Sequence, residues 1–361
     1  MFDFVVVGAG PPGARFARRT AATGHDVVVF EAGTVGEPLA CSGHVSTDLW
    51  EYAAADARDD LLQNEIHGAR FHVRGPGSED YPFYKDAVVS NVIDRVGLDR
   101  HLADLAREAG ADVREDHAVT GVEEREDRVE VTVSTPDGVE TVEARMVAGC
   151  DGPRSRVRRE LGLPDPDELL HGVLGFDETA DDGDFVDVHL TAPRFFAWRI
   201  PRGEAGVEYG LAAPPGDDVR DRFDRLVADY GADVTRRCSG AIPIGPPPTV
   251  TSRRGFLVGD AAAQTKPFTG GGILYGMTSA DHAARTIDPD DPATLADYEA
   301  AWRDDLGTEI RLGSWLRRAY SLPEPIQRAG LWVLSGEIGV HMDRPTSLFS
   351  LDQLRAWLSR S

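Results

Sequence analysis

Gly8, Gly10 and Gly13, the acid at Glu31 and the thiol at Cys41 are the residues near the N-terminus whose types and spacing bear on chemistry. "FVVVGAGPPG" reads as a short buried strand, Phe4 to Val7, running into that glycine spacing. Gly8 permits a tight turn, Gly10 lets the backbone approach a pyrophosphate, and Gly13 lets the following helix pack close to the strand. The phosphates would sit on the helix N-terminus, where backbone N–H groups point outward. A helix-like run, "ARFARRTAATG", follows, and a second strand, "DVVVF", ends at Glu31, eighteen residues past Gly13. An acid placed there can accept both ribose hydroxyls of a dinucleotide, and NAD and FAD are equally compatible with this much. Ten residues later "EPLACSGHVS" sets Cys41 among small, flexible residues where a strand has just ended.

The elements that must hold these groups are supplied by 361 residues, enough for a sizeable core and for two or three domains. Acidic residues number 61 against 38 basic, a formal net charge of −23 that repels nucleic acid and anionic membrane surfaces. DNA or RNA binding is thereby disfavoured. Lysine occurs only at Lys85 and Lys266, and the acids are scattered through the chain, a balance like that of a salt-adapted (halophilic) cytosolic protein. Cys41, Cys150 and Cys238 are too widely spaced for a disulfide framework or a CxxC metal site, which fits a reducing compartment. The chain enters its first strand at once, without a signal-peptide pattern, and no apolar run approaches the ~20 residues that span a bilayer. A cytoplasmic location is expected, with peripheral contact to a membrane left open.

After the cysteine loop, "HGARFHV" and "YPFYKDAVV" alternate like strands, and residues 94–110 carry apolar residues at helical spacing. Strands around a turn at Asp137 and Gly138 lead to "EARMVAGCDGPRSRVRRELG". There Asp151, Gly152, Ser155 and Arg156 resemble the "DG" motif of glutathione-reductase-like flavoproteins with the aromatic-hydroxylase fold; an N-capped helix after a turn reads the same residues equally well. A third segment, "RRGFLVGDAAAQTKPFTGGGILYGMTSADHAA" (253–284), has a strand ending at Gly259, Asp260 within reach of a ribitol hydroxyl, and a proline- and glycine-rich turn opening a helix. Such a turn can aim backbone N–H groups at the edge of a flavin where negative charge develops. Three motifs in this order point to FAD, whereas an NAD-only enzyme accounts for the first alone.

The fold class expected is α/β: a glutathione-reductase-like FAD-binding Rossmann domain with an inserted antiparallel-sheet substrate domain (α+β) and a short helical C-terminal part. The FAD-binding domain is assigned residues 1–57, 87–160 and 250–290, the substrate domain 58–86 and 161–249, and the helical region 291–361. Trp302, Trp315 and Trp332 in that last region are expected in packing rather than as a membrane anchor.

A "P-x-x-C-x-G-x-x-S" loop at Pro38, Cys41, Gly43 and Ser46, together with "GDAA…KPFTGGGI", is similar to the geranylgeranyl reductase family over about residues 1–290. That resemblance implies a flavoprotein that saturates isoprenoid chains of archaeal membrane lipids, with the cysteine loop against the isoalloxazine. It implies FAD contacts at Pro12, Glu31, Cys41, Gly43, Arg95, Val119, Asp260, Gly272 and Ile273, beside Gly8, Gly10 and Gly13 of the fingerprint. The family's substrate signature, PxxYxWxFP, reads here "PRFFAWRIP", so Phe196, Trp198 and Ile200 would share one apolar strand face, as a lipid-facing wall or as ordinary sheet core. The tyrosine hydroxyl of the signature is missing at Phe196.

Reducing an isolated alkene needs a hydride and a proton on the opposite carbon, and a thiol of pKa ~8.5 in an apolar pocket stays protonated, which suits an acid. Cys41 is therefore the candidate catalytic residue, with space-filling beside the ring as its alternative role, and His44 a second candidate donor. Cys150 and Cys238 read as buried packing. A flavin-dependent halogenase or monooxygenase is the competing enzyme class, since "FAWRIP" stands between the two families' signatures. A reductase of a menaquinone side chain and a flavoprotein that only passes electrons are further alternatives. The expected partners are an isoprenoid lipid and an electron donor that the sequence leaves open among ferredoxin, NAD(P)H and a deazaflavin.

Overall fold

The computed structural model describes residues 1–39, 41–53, 57–216, 218–338, 344, 346 and 347. The chain opens with β1 (Phe2–Val7), α1 (Pro11–Ala21) and β2 (Val27–Phe30). Next come β3 (His44–Ser46), α2 (Arg58–Leu61), β4 (Leu62–Ile66), β5 (Gly68–His72), β6 (Asp80–Tyr84), β7 (Ser90–Ile93) and α3 (Arg95–Glu108). Four strands, β8 (Asp112–Arg114), β9 (Ala118–Glu124), β10 (Val129–Thr135) and β11 (Gly138–Gly149), precede α4 (Arg156–Glu160). The middle of the chain holds β12 (Glu168–Asp177), β13 (Phe185–His189), β14 (Ala197–Pro201), β15 (Val207–Ala213), α5 (Val219–Tyr230) and β16 (Arg236–Ile244). It closes with β17 (Gly255–Leu257), α6 (Ile273–Thr286), α7 (Leu295–Arg317), α8 (Glu324–Leu334) and β18 (Gly336–Glu337).

The first sheet has the order β8-β2-β1-β11-β10-β9, with β17 also paired to β11. Its β8, β2, β1, β11 and β17 run parallel, so their C-terminal ends form one edge, where ligands of open α/β sheets bind. Strand β11 is divided between two tasks. From Gly138 to Ala144 it pairs antiparallel with β10, and from Ala144 to Gly149 parallel with β1. Its burial switches at the same point, from an exposed hairpin arm to a core strand buried at every residue but Arg145. Phe4, Phe16, Phe256 and Tyr298 meet edge to face in the core beneath, which α7 completes with Tyr298, Trp302 and Leu306.

The second sheet, of order β16-β12-β15-β14-β13-β5-β6-β18, is antiparallel except at the β13·β5 and β18·β6 pairs. Strands from residues 68–84 and from 168–244 thus lie in one sheet, apart from the Rossmann sheet. A small antiparallel sheet, β3-β7-β4, is formed by strands that bracket β5 and β6 in the chain. The α/β Rossmann architecture with a separate, mostly antiparallel sheet is the one expected.

Two local expectations are adjusted. The helix expected over 94–110 spans Arg95–Glu108, because Asp94 is its N-cap and accepts a hydrogen bond from the Val96 amide at 3.1 Å. Phe196 does not share a strand with Trp198 and Ile200, since β14 begins at Ala197 and Phe196 stacks on Phe195 at 4.4 Å in the turn before it.

The tryptophans of the C-terminal region part company. Trp302 is fully buried, whereas Trp315 and Trp332 are 63% and 74% exposed. No helix among the described residues is long and apolar enough to cross a membrane.

Most ion pairs of the molecule are arginine–carboxylate pairs at the surface, each contributing little, while a net charge of −23 repels itself over the whole surface. Added salt screens both, and the repulsion is the larger effect. The melting temperature should therefore rise between low and molar salt; a melting temperature indifferent to salt would count against adaptation to high ionic strength.

Candidate active site

The three glycines at the end of β1 act as their spacing predicts. Gly8 has φ +97°, and a Cβ there would lie 2.5 Å from the carbonyl oxygen of Cys150, just past the neighbouring strand β11. A Cβ on Gly13 would lie 2.0 Å from the Gly8 oxygen, so only glycine lets α1 start this close to the turn. Gly10, by contrast, has nothing within 4 Å of that position, so the backbone there faces open space at the N-terminus of α1. Glu31, at the end of β2, accepts hydrogen bonds from the Ala9 amide at 2.8 Å and the Ala32 amide at 3.0 Å. Burial pushes its carboxyl up and these backbone donors oppose that shift, so the group is held in place beside the glycine turn.

The cysteine loop is tied to the start of α3 by the small sheet. Strand β3 pairs with β7, His44 opposite Val92, and the Ile93 amide donates to the Gly43 oxygen at 2.9 Å. A Cβ on Gly43 would sit 2.2 Å from the Ile93 oxygen, so the loop can lie against β7 only with glycine at this position. Two residues beyond Ile93, Arg95 enters the site from the first turn of α3. Asp99, one turn on, forms an ion pair with it, and both are almost fully buried. Arg95 Nη1 and Asp99 Oδ1 are the two atoms of that ion pair, while Arg95 Nε has no hydrogen-bond partner among the described residues.

Cys41 faces this pair. It is open to solvent yet ringed by enough protein that burial is the chief influence on its thiol, which describes a side chain on the floor of a cleft. Burial pushes the thiol up, Arg95 pulls it down through charge and a hydrogen bond, and Asp260 and Asp99 push it up again. The net direction is upward, so the sulfur is held as a thiol at neutral pH. Asp260 follows β17 and is itself pushed up to about 6 by burial, against the pull of Arg95. Its carboxylate lies over the start of α6, where a Cβ on the N-capping Gly272 would be 2.5 Å from Asp260 Oδ1. Helix α6 begins at Ile273, so its first-turn amides open beside Asp260 and Gly272. Pro12 of α1 packs on Gly259, where a Cβ would meet its ring at 2.7 Å, which joins the first and third motifs.

The donors and acceptors left over match the parts of a flavin dinucleotide. The open backbone at Gly10, the oriented carboxylate of Glu31, the Arg95 guanidinium and the amides of α6 are complementary to phosphates, ribose hydroxyls and an electron-rich ring edge.

The comparisons agree. Residues 1–222 match a family model described as an FAD binding domain. Over 341 residues the chain is 30% identical to digeranylgeranylglycerophospholipid reductase 2 of Methanopyrus kandleri, covering 86% of this chain and 84% of that protein. The chain belongs to the digeranylgeranylglycerophospholipid reductase family. A solved structure of a geranylgeranyl bacteriochlorophyll reductase-like protein from Thermoplasma acidophilum superposes with a TM-score of 0.86 at 22% identity, covering 99% and 98% of the two chains. A flavin-dependent halogenase superposes less closely, with a TM-score of 0.71 at 21% identity over 99% of this chain and 76% of its own, a likeness of fold alone.

Within this family's frame the structure sorts the sequence-derived residues. Gly8, Gly10, Pro12, Gly13 and Glu31 gather at the end of β1, and Cys41, Gly43, Arg95, Asp260, Gly272 and Ile273 surround the cleft. Val119 lies in β9 opposite Val133, two residues past His117, whose amide donates to the Glu31 carbonyl oxygen at 2.8 Å, and is buried in the first core. His44 is committed elsewhere, its Nε2 2.7 Å from Ser90 Oγ. Asp151 is a helix cap: its carboxylate accepts from the Ser155 hydroxyl at 2.5 Å and from the Arg156 and Val157 amides at 2.6 and 3.1 Å. Cys150 is buried as expected, while Cys238 is only half-buried. Phe196, Trp198 and Ile200 belong to one buried apolar cluster, which Leu39 of the cysteine loop also joins.

Two residues escaped the sequence reading. Asp99 had a signal, an acid four residues after Arg95 on one helical face. Glu208 had one too, an acid inside the otherwise apolar strand "VEYGLAA".

Proposed function

We propose that this chain is an FAD-dependent reductase that saturates carbon–carbon double bonds in the geranylgeranyl chains of archaeal membrane lipids. The observation that carries the reading is the placement of the Cys41 thiol against Arg95 and Asp260 beside the start of α6. When bound, reduced FAD would supply the hydride. The Gly10 turn and Glu31 would hold the dinucleotide, and the amides of α6 would face developing negative charge. Cys41 would hold a proton at Sγ for the alkene carbon that does not receive hydride. Leu39, Phe196, Trp198 and Ile200 would keep water from the apolar chain.

The lipid would reach the site from a membrane surface, and α8 supports such contact. Ile326, Trp332, Val333 and Leu334 of this helix are all exposed, as are the nearby Trp315 and Leu322. Exposed tryptophan and aliphatic side chains on a helix suit the headgroup boundary, and the net negative charge favours membranes of low negative charge.

With flavin reduced by dithionite under nitrogen, a geranylgeranylated glycerophospholipid should gain hydrogen in pairs while the flavin reoxidises in step. Oxygen-dependent transfer of a hydroxyl or halogen, with no saturation under nitrogen, would overturn the reductase reading in favour of a monooxygenase or halogenase.

A further inference from the structure

Glu208 lies in β15 and is 0% exposed. Its register places it opposite Ile200 of β14 and Phe176 of β12, so apolar strands flank it on both sides. A carboxyl in such a place is costly unless it is paired or neutral. Its nearest cationic influence, Arg202, spends its guanidinium on Gln63 Oε1 at 3.0 and 2.8 Å and on the ring of Phe176 at 4.8 Å. Oε1 of Glu208 accepts from the Trp198 indole Nε1 at 2.9 Å, and Oε2 has no hydrogen-bond partner among the described residues. The Ser42 hydroxyl and the Gly43 amide of the cysteine loop act on this carboxyl without closing a hydrogen bond of normal geometry. Trp198 is seated as firmly as its partner: a Cβ on Gly210 would lie 2.1 Å from the indole.

We propose that Glu208 is a positioning residue for the reduction, a buried carboxyl that locks the Trp198 indole with one oxygen and presents the other to the cysteine loop as the proton source that reloads Cys41. Burial raises its pKa, opposed by the Trp198 N–H and the Arg202 charge. The other titratable or charged groups of this neighbourhood are Cys238 and Arg236 of β16, and Cys238 feels both Glu208 and Cys41. The inference rests on the reductase reading. Each alkene takes a hydride on one carbon and the Cys41 proton on the other, leaving a thiolate. The Glu208 O–H bond then breaks as a new S–H bond forms, and the carboxylate regains its proton from solvent between turnovers. Transfer from a carboxylic acid to a thiolate follows the ordinary order of acidity of the two groups.

Glu208→Gln keeps the size and the acceptor for Trp198 but removes the proton. In the FAD-loaded protein, one turnover of dithionite-reduced flavin with geranylgeranylated glycerophospholipid should run at the wild-type rate, since Cys41 starts loaded. Steady-state saturation with excess dithionite should fall tenfold or more, and Glu208→Asp should recover much of it. Without lipid, the infrared difference between wild type and Glu208→Gln at pH 7 should contain the carbonyl stretch of a protonated carboxylic acid. An unchanged steady state, an equal loss in the single turnover, or the absence of that band in a variant with normal melting and flavin content would overturn the role of Glu208. A wild type that leaves the lipid unsaturated under nitrogen would instead remove the reductase reading on which the role depends.

Discussion

Cys41→Ser should slow alkene reduction by about a hundredfold or more while FAD remains bound, the loss expected when a general acid is removed. Serine keeps the size of the side chain but its hydroxyl is a far weaker acid than a thiol. The surroundings favour this outcome over simple packing. Burial holds the thiol protonated, and Arg95 faces the sulfur closely enough to stabilise the thiolate left after the proton departs. A purely space-filling residue has no use for that cation. The measurement is the reoxidation rate of reduced flavin on mixing with geranylgeranylated lipid, beside the flavin absorbance of the purified variant. A rate within a factor of two of wild type would reduce Cys41 to a spacer.

Glu31→Arg should elute without yellow colour. The wild-type carboxylate is fixed by the Ala9 and Ala32 amides and has lone pairs to spare for two ribose hydroxyls. Hydrogen bonds to a charged group contribute about 1.5–3 kcal/mol each, so losing two weakens FAD binding by roughly two to four orders of magnitude. The arginine also turns a cation toward the two backbone N–H groups that the carboxylate had satisfied. Full flavin occupancy in a folded Glu31→Arg protein would remove Glu31 from the cofactor site.

The Rossmann half of the molecule was legible because its constraints are local. Gly8, Gly10 and Gly13 announce a turn whose geometry admits nothing larger at two of the three positions, and Glu31 follows at a fixed distance along the chain. The cleft was legible only as a set of separate matches, since what unites Cys41 with Arg95 is the pairing of β3 with β7, a contact between segments some fifty residues apart. The same limit hid Glu208. Its strand pattern reads as apolar, and nothing local says that the one acid in it points at Trp198 and the cysteine loop. At Asp151 the sequence admitted both a flavoprotein motif and a helix cap, and the carboxylate is taken up by the amides of its own helix.

The division of β11 has a practical side for anyone engineering this chain. Added or deleted residues at the Asp137–Gly138 turn are absorbed in the exposed arm of the hairpin, because the register with β1 is set afresh from Ala144 onward. The same change between Ala144 and Gly149 would shift every side chain of a central strand to the opposite face and drag Cys150 and Asp151 from their places. The hairpin tip is thus the natural point for a fluorescent tag, an affinity peptide or a surface tether, while the six residues that follow the switch tolerate no change of length.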